Sequence, residues 1–173
     1  MNKKVSLIVL VQGLLMLFAA IAPVMAGPAT KVPASTHLLS TTWTLGPITK
    51  TIPSGVNHTY AEYTNERTLT INTTTYDVYV VGSFSYSGNP TTGVINMHFT
   101  AVWYVGNLTA PTSNGFSGKL EQKIYTHTTP PPPLVTAHLV FQGFGSFARY
   151  TLKMEYEGPY PGASDLSGYC IIP

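Results

Sequence analysis

Cysteine is almost missing from this chain. Cys170 is the only one in 173 residues, close to the C-terminus. An internal disulfide is therefore excluded, and stability must come from packing and backbone hydrogen bonds. Charge is also scarce, at 9% of residues. No stretch repeats its apolar residues at helical period for long enough to form a helix. No Gly-x-Ser-x-Gly elbow, phosphate-binding loop or Cys/His nucleophile signature occurs, so no cofactor and no catalytic residue is assigned. Past the N-terminus there is no second long hydrophobic run.

The N-terminus carries Met1-Asn2-Lys3-Lys4, then an apolar run to about Met25, ending Val24-Met25-Ala26. A positive start, an apolar middle and small residues at the end predict a secretory signal peptide over 1–26, removed after Ala26. The other reading is an uncleaved membrane anchor, since the uncharged stretch continues to Thr30 and is long enough to span. Either way the expected location is secreted or cell surface, with membrane contact only through an uncleaved signal. Losing Lys3 and Lys4 brings the formal net charge from +2 to zero. A neutral, charge-poor chain has no electrostatic footprint for nucleic acid.

What fills the remainder is strand pattern. Val135, Ala137, Leu139 and Phe141 alternate with polar residues, and so do Tyr150, Leu152, Met154 and Tyr156, with Arg149, Thr151, Lys153, Glu155 and Glu157 between them. Period two with every charge on one side marks strands buried on one face and wet on the other. Gly143-Phe144-Gly145-Ser146 supplies a reversal between them. Further strands are expected at Leu38–Leu45, Arg67–Ile71, Tyr76–Tyr86, Ile95–Val105, Gly118–Thr126 and Gly168–Ile172. Residues 27–37 read as a flexible lead-in and 52–65 as a long connection. Ser87-Gly88-Asn89-Pro90 reads as a turn, and Pro130–Pro133 as a stiff connector. The chain thus divides into a signal (1–26), a lead-in (27–37) and one all-β domain (38–173). About eight strands joined in order predict an antiparallel meander closed into an up-and-down barrel, with a β-sandwich as the alternative. The opening signature of lipocalin-like barrels is absent, because Trp43 follows Thr41-Thr42 rather than a glycine two residues back.

Two aromatic sets follow from parity. Tyr86, Met97, Trp103, Tyr150, Met154 and Tyr156 would line a barrel interior, where tyrosine hydroxyls need partners and a small ligand or water supplies them. A self-filled core is the other reading. Tyr79, Tyr104 and Tyr125 fall on the opposite parity, as an exposed patch for stacking a carbohydrate or docking a partner, or as cross-strand pairs steadying a wet face. Asn57-His58-Thr59, Asn72-Thr73-Thr74 and Asn107-Leu108-Thr109 are sequons that would make an exported chain a glycoprotein. The histidines His37, His58, His98, His127 and His138 show no zinc-site spacing, so no metal is assigned. Cys170 either links two chains or sits buried in a last short strand.

Three functions are consistent with these features. The first is a secreted, non-catalytic barrel binding a small apolar or aromatic ligand inside. The second is a structural or adhesive surface subunit, self-associating by strand addition through its lead-in. The third is a barrel cyclase or isomerase using interior tyrosines as acids.

Overall fold

The computed structural model describes residues 28–40, 51–53, 57–89, 93–127, 133–159 and 165–173, with 51–53, 57–60 and 89 described by backbone alone. The expected signal 1–26 and most of the expected strand Leu38–Leu45 lie outside these residues. Among the described residues nine strands run β1 (Thr30–Leu38), β2 (Thr51–Pro53), β3 (Asn57–Ile71), β4 (Thr74–Asn89), β5 (Val94–Val105), β6 (Gly115–Tyr125), β7 (Leu134–Phe144), β8 (Thr151–Pro159) and β9 (Ser167–Ile172). Gly145–Phe147 forms one 3-10 turn.

From β3 to β9 each strand pairs antiparallel with the next, and β1 pairs with both β9 and β3. Eight strands therefore close into an up-and-down barrel, and the short β2 adds to the outer end of β3. Closure excludes the sandwich. It follows from the alternation seen in the sequence, because a twisted sheet with one apolar face buries that face by curling onto itself.

Three expectations are overturned. Residues 27–37 were expected to be a flexible lead-in, but Thr30–Leu38 is the strand that closes the barrel, with Val32 opposite Cys170 and Thr36 opposite Leu69. Pro33 hid this strand. It lies where β1 pairs only with β9, since pairing with β3 begins at Ala34, so the missing N–H costs no ladder bond on that side. Residues 52–65, expected as a connection, hold β2 and the first half of β3. Polar residues facing inward broke the apolar alternation there. The expected turn at 87–90 starts too early, because β4 runs to Asn89.

The barrel's two ends differ. At one end, where Ile71, Val105, Phe144 and Thr151 lie, the 3-10 turn places Phe147 across the opening. Its ring centre is 5.0 Å from that of Phe116, 5.4 Å from Tyr76 and 5.7 Å from Tyr150. The middle is solid: Phe116, Phe141, Leu69, Leu139, Leu152, Met154 and Cys170 are fully buried. Gly82, Ala101 and Gly118 are consecutive cross-strand partners. That low strip of wall leaves room for two rings, Tyr63 over Gly82 and Phe141 over Gly118.

Candidate functional site

The opposite end of the barrel, bounded by Leu38, Tyr125, Leu134 and Ser167, is lined differently. Tyr86, Met97, Gln122, Ala137 and Tyr156 are consecutive cross-strand partners on β4 to β8 and form one row of inward side chains. All but Ala137 are only half-buried. Behind them lies a second row, Phe84, Phe99, Leu120, Leu139 and Met154. Rings lead inward in contact: Tyr86 to Phe84 at 6.4 Å, Phe84 to Phe99 at 5.4 Å, and Phe99 to Tyr63 at 5.8 Å. On one flank β1 ends at Leu38 opposite Arg67, and β9 begins at Ser167 opposite Glu155. Among the described residues no strand joins β3 to β8 beyond those two points.

At the inner end of this aromatic path the wall becomes polar. Strand β3 alternates Glu62, Thr64, Glu66, Thr68 and Thr70 outward with Ala61, Tyr63, Asn65, Arg67, Leu69 and Ile71 inward, and all six inward residues are buried. Half of them are polar. The Nε of Arg67 donates to Oδ1 of Asn65 at 3.3 Å, and the guanidinium stands 4.9 Å from the centre of the Trp103 ring. Trp103 packs in turn edge-on to Phe141 at 4.9 Å. The Nδ2 of Asn65 is buried without a hydrogen-bond partner. Burial lowers the Arg67 guanidinium to about 10, partly offset by Tyr63 and Asp165. Burial likewise pushes the Tyr63 phenol up to about 12, with Arg67 pulling the other way.

Among the described residues no carboxylate stands at ion-pair distance from Arg67. Asp165, whose field reaches it, is engaged elsewhere: its carboxylate meets Nδ1 of His37 at 3.0 Å and accepts from the Leu38 N–H at 3.2 Å.

The six residues expected to line the interior all face inward, but they divide by depth. Tyr86, Met97 and Tyr156 lie on the half-exposed row, with the Tyr156 hydroxyl donating to the carbonyl of Pro159 at 3.0 Å. Trp103 and Met154 are buried behind them, and Tyr150 is at the other end against Phe147. Tyr63, Asn65 and Arg67 were missed. Their signal is the alternation of 61–71, legible only if polar side chains are allowed on the inner face.

Of the outer tyrosines, Tyr79 and Tyr104 are direct cross-strand partners near the plugged end. Tyr125 closes β6 at the other end, about ten residues or roughly 30 Å along the strand from the partner of Tyr104. The structure therefore brings together two of the three. Asn72 is exposed in the β3–β4 turn at φ 56°, and Asn107 is exposed after β5, its Oδ1 accepting from the N–H and hydroxyl of Thr109. Asn57 begins β3 at the opposite end. Cys170 is buried in β9, which removes it as a link between folded chains.

A concavity of about 680 Å³ lies over Glu121, Lys123, His138, Glu155 and Glu157, and Ala137 and Tyr156 also border it. His98, Glu121, His138 and Glu155 are successive partners, with His98 and Glu121 3.8 Å apart, so imidazoles and carboxylates alternate from strand to strand along the row. Among the described residues no three His, Cys, Asp or Glu side chains are grouped to hold a metal ion.

No protein-family model, curated protein or solved structure matches this chain.

Proposed function

We propose that this protein is a secreted, non-catalytic barrel that binds a small apolar or aromatic ligand in its interior. The ligand enters past Tyr86, Met97 and Tyr156. One observation carries the reading: the ends are lined unequally. Phe147 plugs one, while the other presents a half-buried row from which aromatic rings lead in to Tyr63. An eight-stranded barrel is wide enough either to fill itself or to hold one small ligand. Here one half is filled and the other carries incompletely covered apolar side chains, the usual lining of a small-molecule site. Export rests on the reading of residues 1–26.

Two features favour binding over the other functions. Strand addition needs a free donor, and Thr30–Leu38 is already used to close its own barrel. An acid that works near neutral pH needs its pKa close to that range, and burial moves Tyr63 away from it.

Native mass spectrometry of the protein exported from its own host is the test. A monomer carrying an additional small-molecule mass supports the proposal. Bare chains, together with no emission change when N-phenylnaphthylamine is added, would refute it.

A further inference from the structure

We infer that the interior site takes an amphiphilic anion, a carboxylate on an apolar or aromatic body, with Arg67 and Asn65 reading the carboxylate. This rests on the interior-binding reading and adds the chemical class of the ligand.

The argument begins with a buried charge. Arg67 is 7% exposed and is one of only two arginines in the chain. A cation taken out of water is costly unless an opposite charge and hydrogen bonds compensate it, so buried cations are nearly always paired. Among the described residues none of the seven acidic side chains is at ion-pair distance, and Asp165 is committed to His37 and Leu38. The Trp103 face offsets part of the cost but brings no negative charge.

A second, independent observation lies beside it. The Asn65 amide points a buried donor, Nδ2, at no acceptor, although its other end is held by Arg67. Buried amide donors rarely go unmatched, and an unmatched one next to a cation is a place for an acceptor. The two defects have one remedy, because a carboxylate carries both the missing charge and the missing acceptor.

The arrangement is also aimed. A guanidinium is a planar fork with five N–H donors, and the hydrogen bond described here uses only Nε. Asn65 on Nε and Trp103 on the face fix the plane of the fork. The remaining edge suits two-point pairing with a carboxylate. The rings from Tyr86 to Tyr63 form an apolar wall against which the body of a ligand with its head group at Arg67 would lie. Burial lowers the Arg67 pKa yet leaves it near 10, so the group remains a cation at neutral pH.

The test is displacement of N-phenylnaphthylamine, an uncharged probe, by decanoate and by decanol, which differ only in the head group. In the unaltered protein decanoate should displace the probe at roughly tenfold lower concentration or less, the range for a hydrogen-bonded charge. Arg67→Met should abolish that preference and leave displacement by decanol within about twofold, since no apolar contact is lost. Asn65→Asp should abolish it as well, by placing a carboxylate from the chain itself against Arg67, and should raise the melting temperature. This second variant keeps the test decisive if Arg67→Met does not fold. Equal displacement by the two competitors, or a preference that survives both substitutions, overturns the anion assignment while leaving interior binding intact. A probe that never binds removes the interior site and this inference with it.

Discussion

The guanidinium of Arg67 lies 4.9 Å from the centre of the Trp103 ring, in the interior of the barrel, with no carboxylate of the described residues at ion-pair distance. A cation over an indole face gains about 2 kcal/mol or more when desolvated, but removing a guanidinium from water costs several. The pair is therefore not a device for stability. Proteins that keep such an arrangement usually keep it for function, and local rules are most often broken at functional sites.

Arg67→Met should accordingly leave the folded state as stable as before, or more stable by about 1–2 kcal/mol, as when buried ionic groups give way to well-packed apolar ones. Urea unfolding measures this. A loss above about 2 kcal/mol would show that Arg67 holds the wall together.

The low strip beneath the rings should be intolerant of a single methyl group. A Cβ on Gly118 would meet the Val140 carbonyl oxygen at 2.2 Å and the backbone of Phe141 at 2.8 Å. One on Gly82 would meet the Thr100 carbonyl oxygen at 2.7 Å and the Tyr63 ring at 2.8 Å. Gly118→Ala is expected to cost about 3 kcal/mol and Gly82→Ala about 2 kcal/mol, because both meet backbone oxygens but the approach at Gly82 is less close. Gly88→Ala, whose nearest neighbour is Ile95 at 3.8 Å, should be neutral or slightly stabilising. Thermal midpoints of the three variants check the order.

Alkaline pH should weaken the fold in a defined sequence. Burial holds the Cys170 thiol up near 11 against an ordinary 9.0, so the folded chain keeps a proton that the unfolded chain releases. That contribution is complete below pH 9 and is lost as pH climbs towards 11. Tyr63 adds a similar loss between 10 and about 12, and Arg67, lowered by burial, opposes it above about 10. Between pH 9 and 10 the decline therefore belongs to Cys170, and Cys170→Ala should flatten it in unfolding titrations. Ellman's reagent should find no reactive thiol in the native protein and one after denaturation.

Removing residues 28–38 should open the barrel rather than trim a tail. Without β1, the edges of β3 and β9 are left unpaired, and such edges recruit other chains. Size exclusion should show association, and amide exchange should show lost protection at Leu69 and Cys170. Retention of a protected monomer would contradict the pairing seen here.

The strands most legible in the sequence, β5, β7 and β8, share one property: every inward position is apolar or aromatic. In β5, β7 and β8, Phe99, Trp103, Leu139, Phe141, Leu152 and Met154 mark the inner face without ambiguity. Strand β3 was legible only in its last third, because Tyr63, Asn65 and Arg67 look like surface residues until their partners are known. Strand β1 was hidden by Pro33 and by Thr36, whose hydroxyl accepts from the Leu166 N–H at 3.4 Å. The site is less legible than the fold for the same reason: it is made of the inward residues that break the pattern.

Local periodicity by itself determined that this chain is all-β, that its strands pair in order, and which residues of the regular strands face inward. Those properties depend on alternation within a few residues, and sequence carries that directly. Tertiary structure decided the rest. It brought Thr30–Leu38 against β9, more than 130 residues later, and plugged one end with Phe147. It also set Arg67 and Asn65 behind the rings of the other end. Whether a polar side chain is solvated or sealed depends on what closes over it, and that is a property of the closed barrel, not of the strand that carries it.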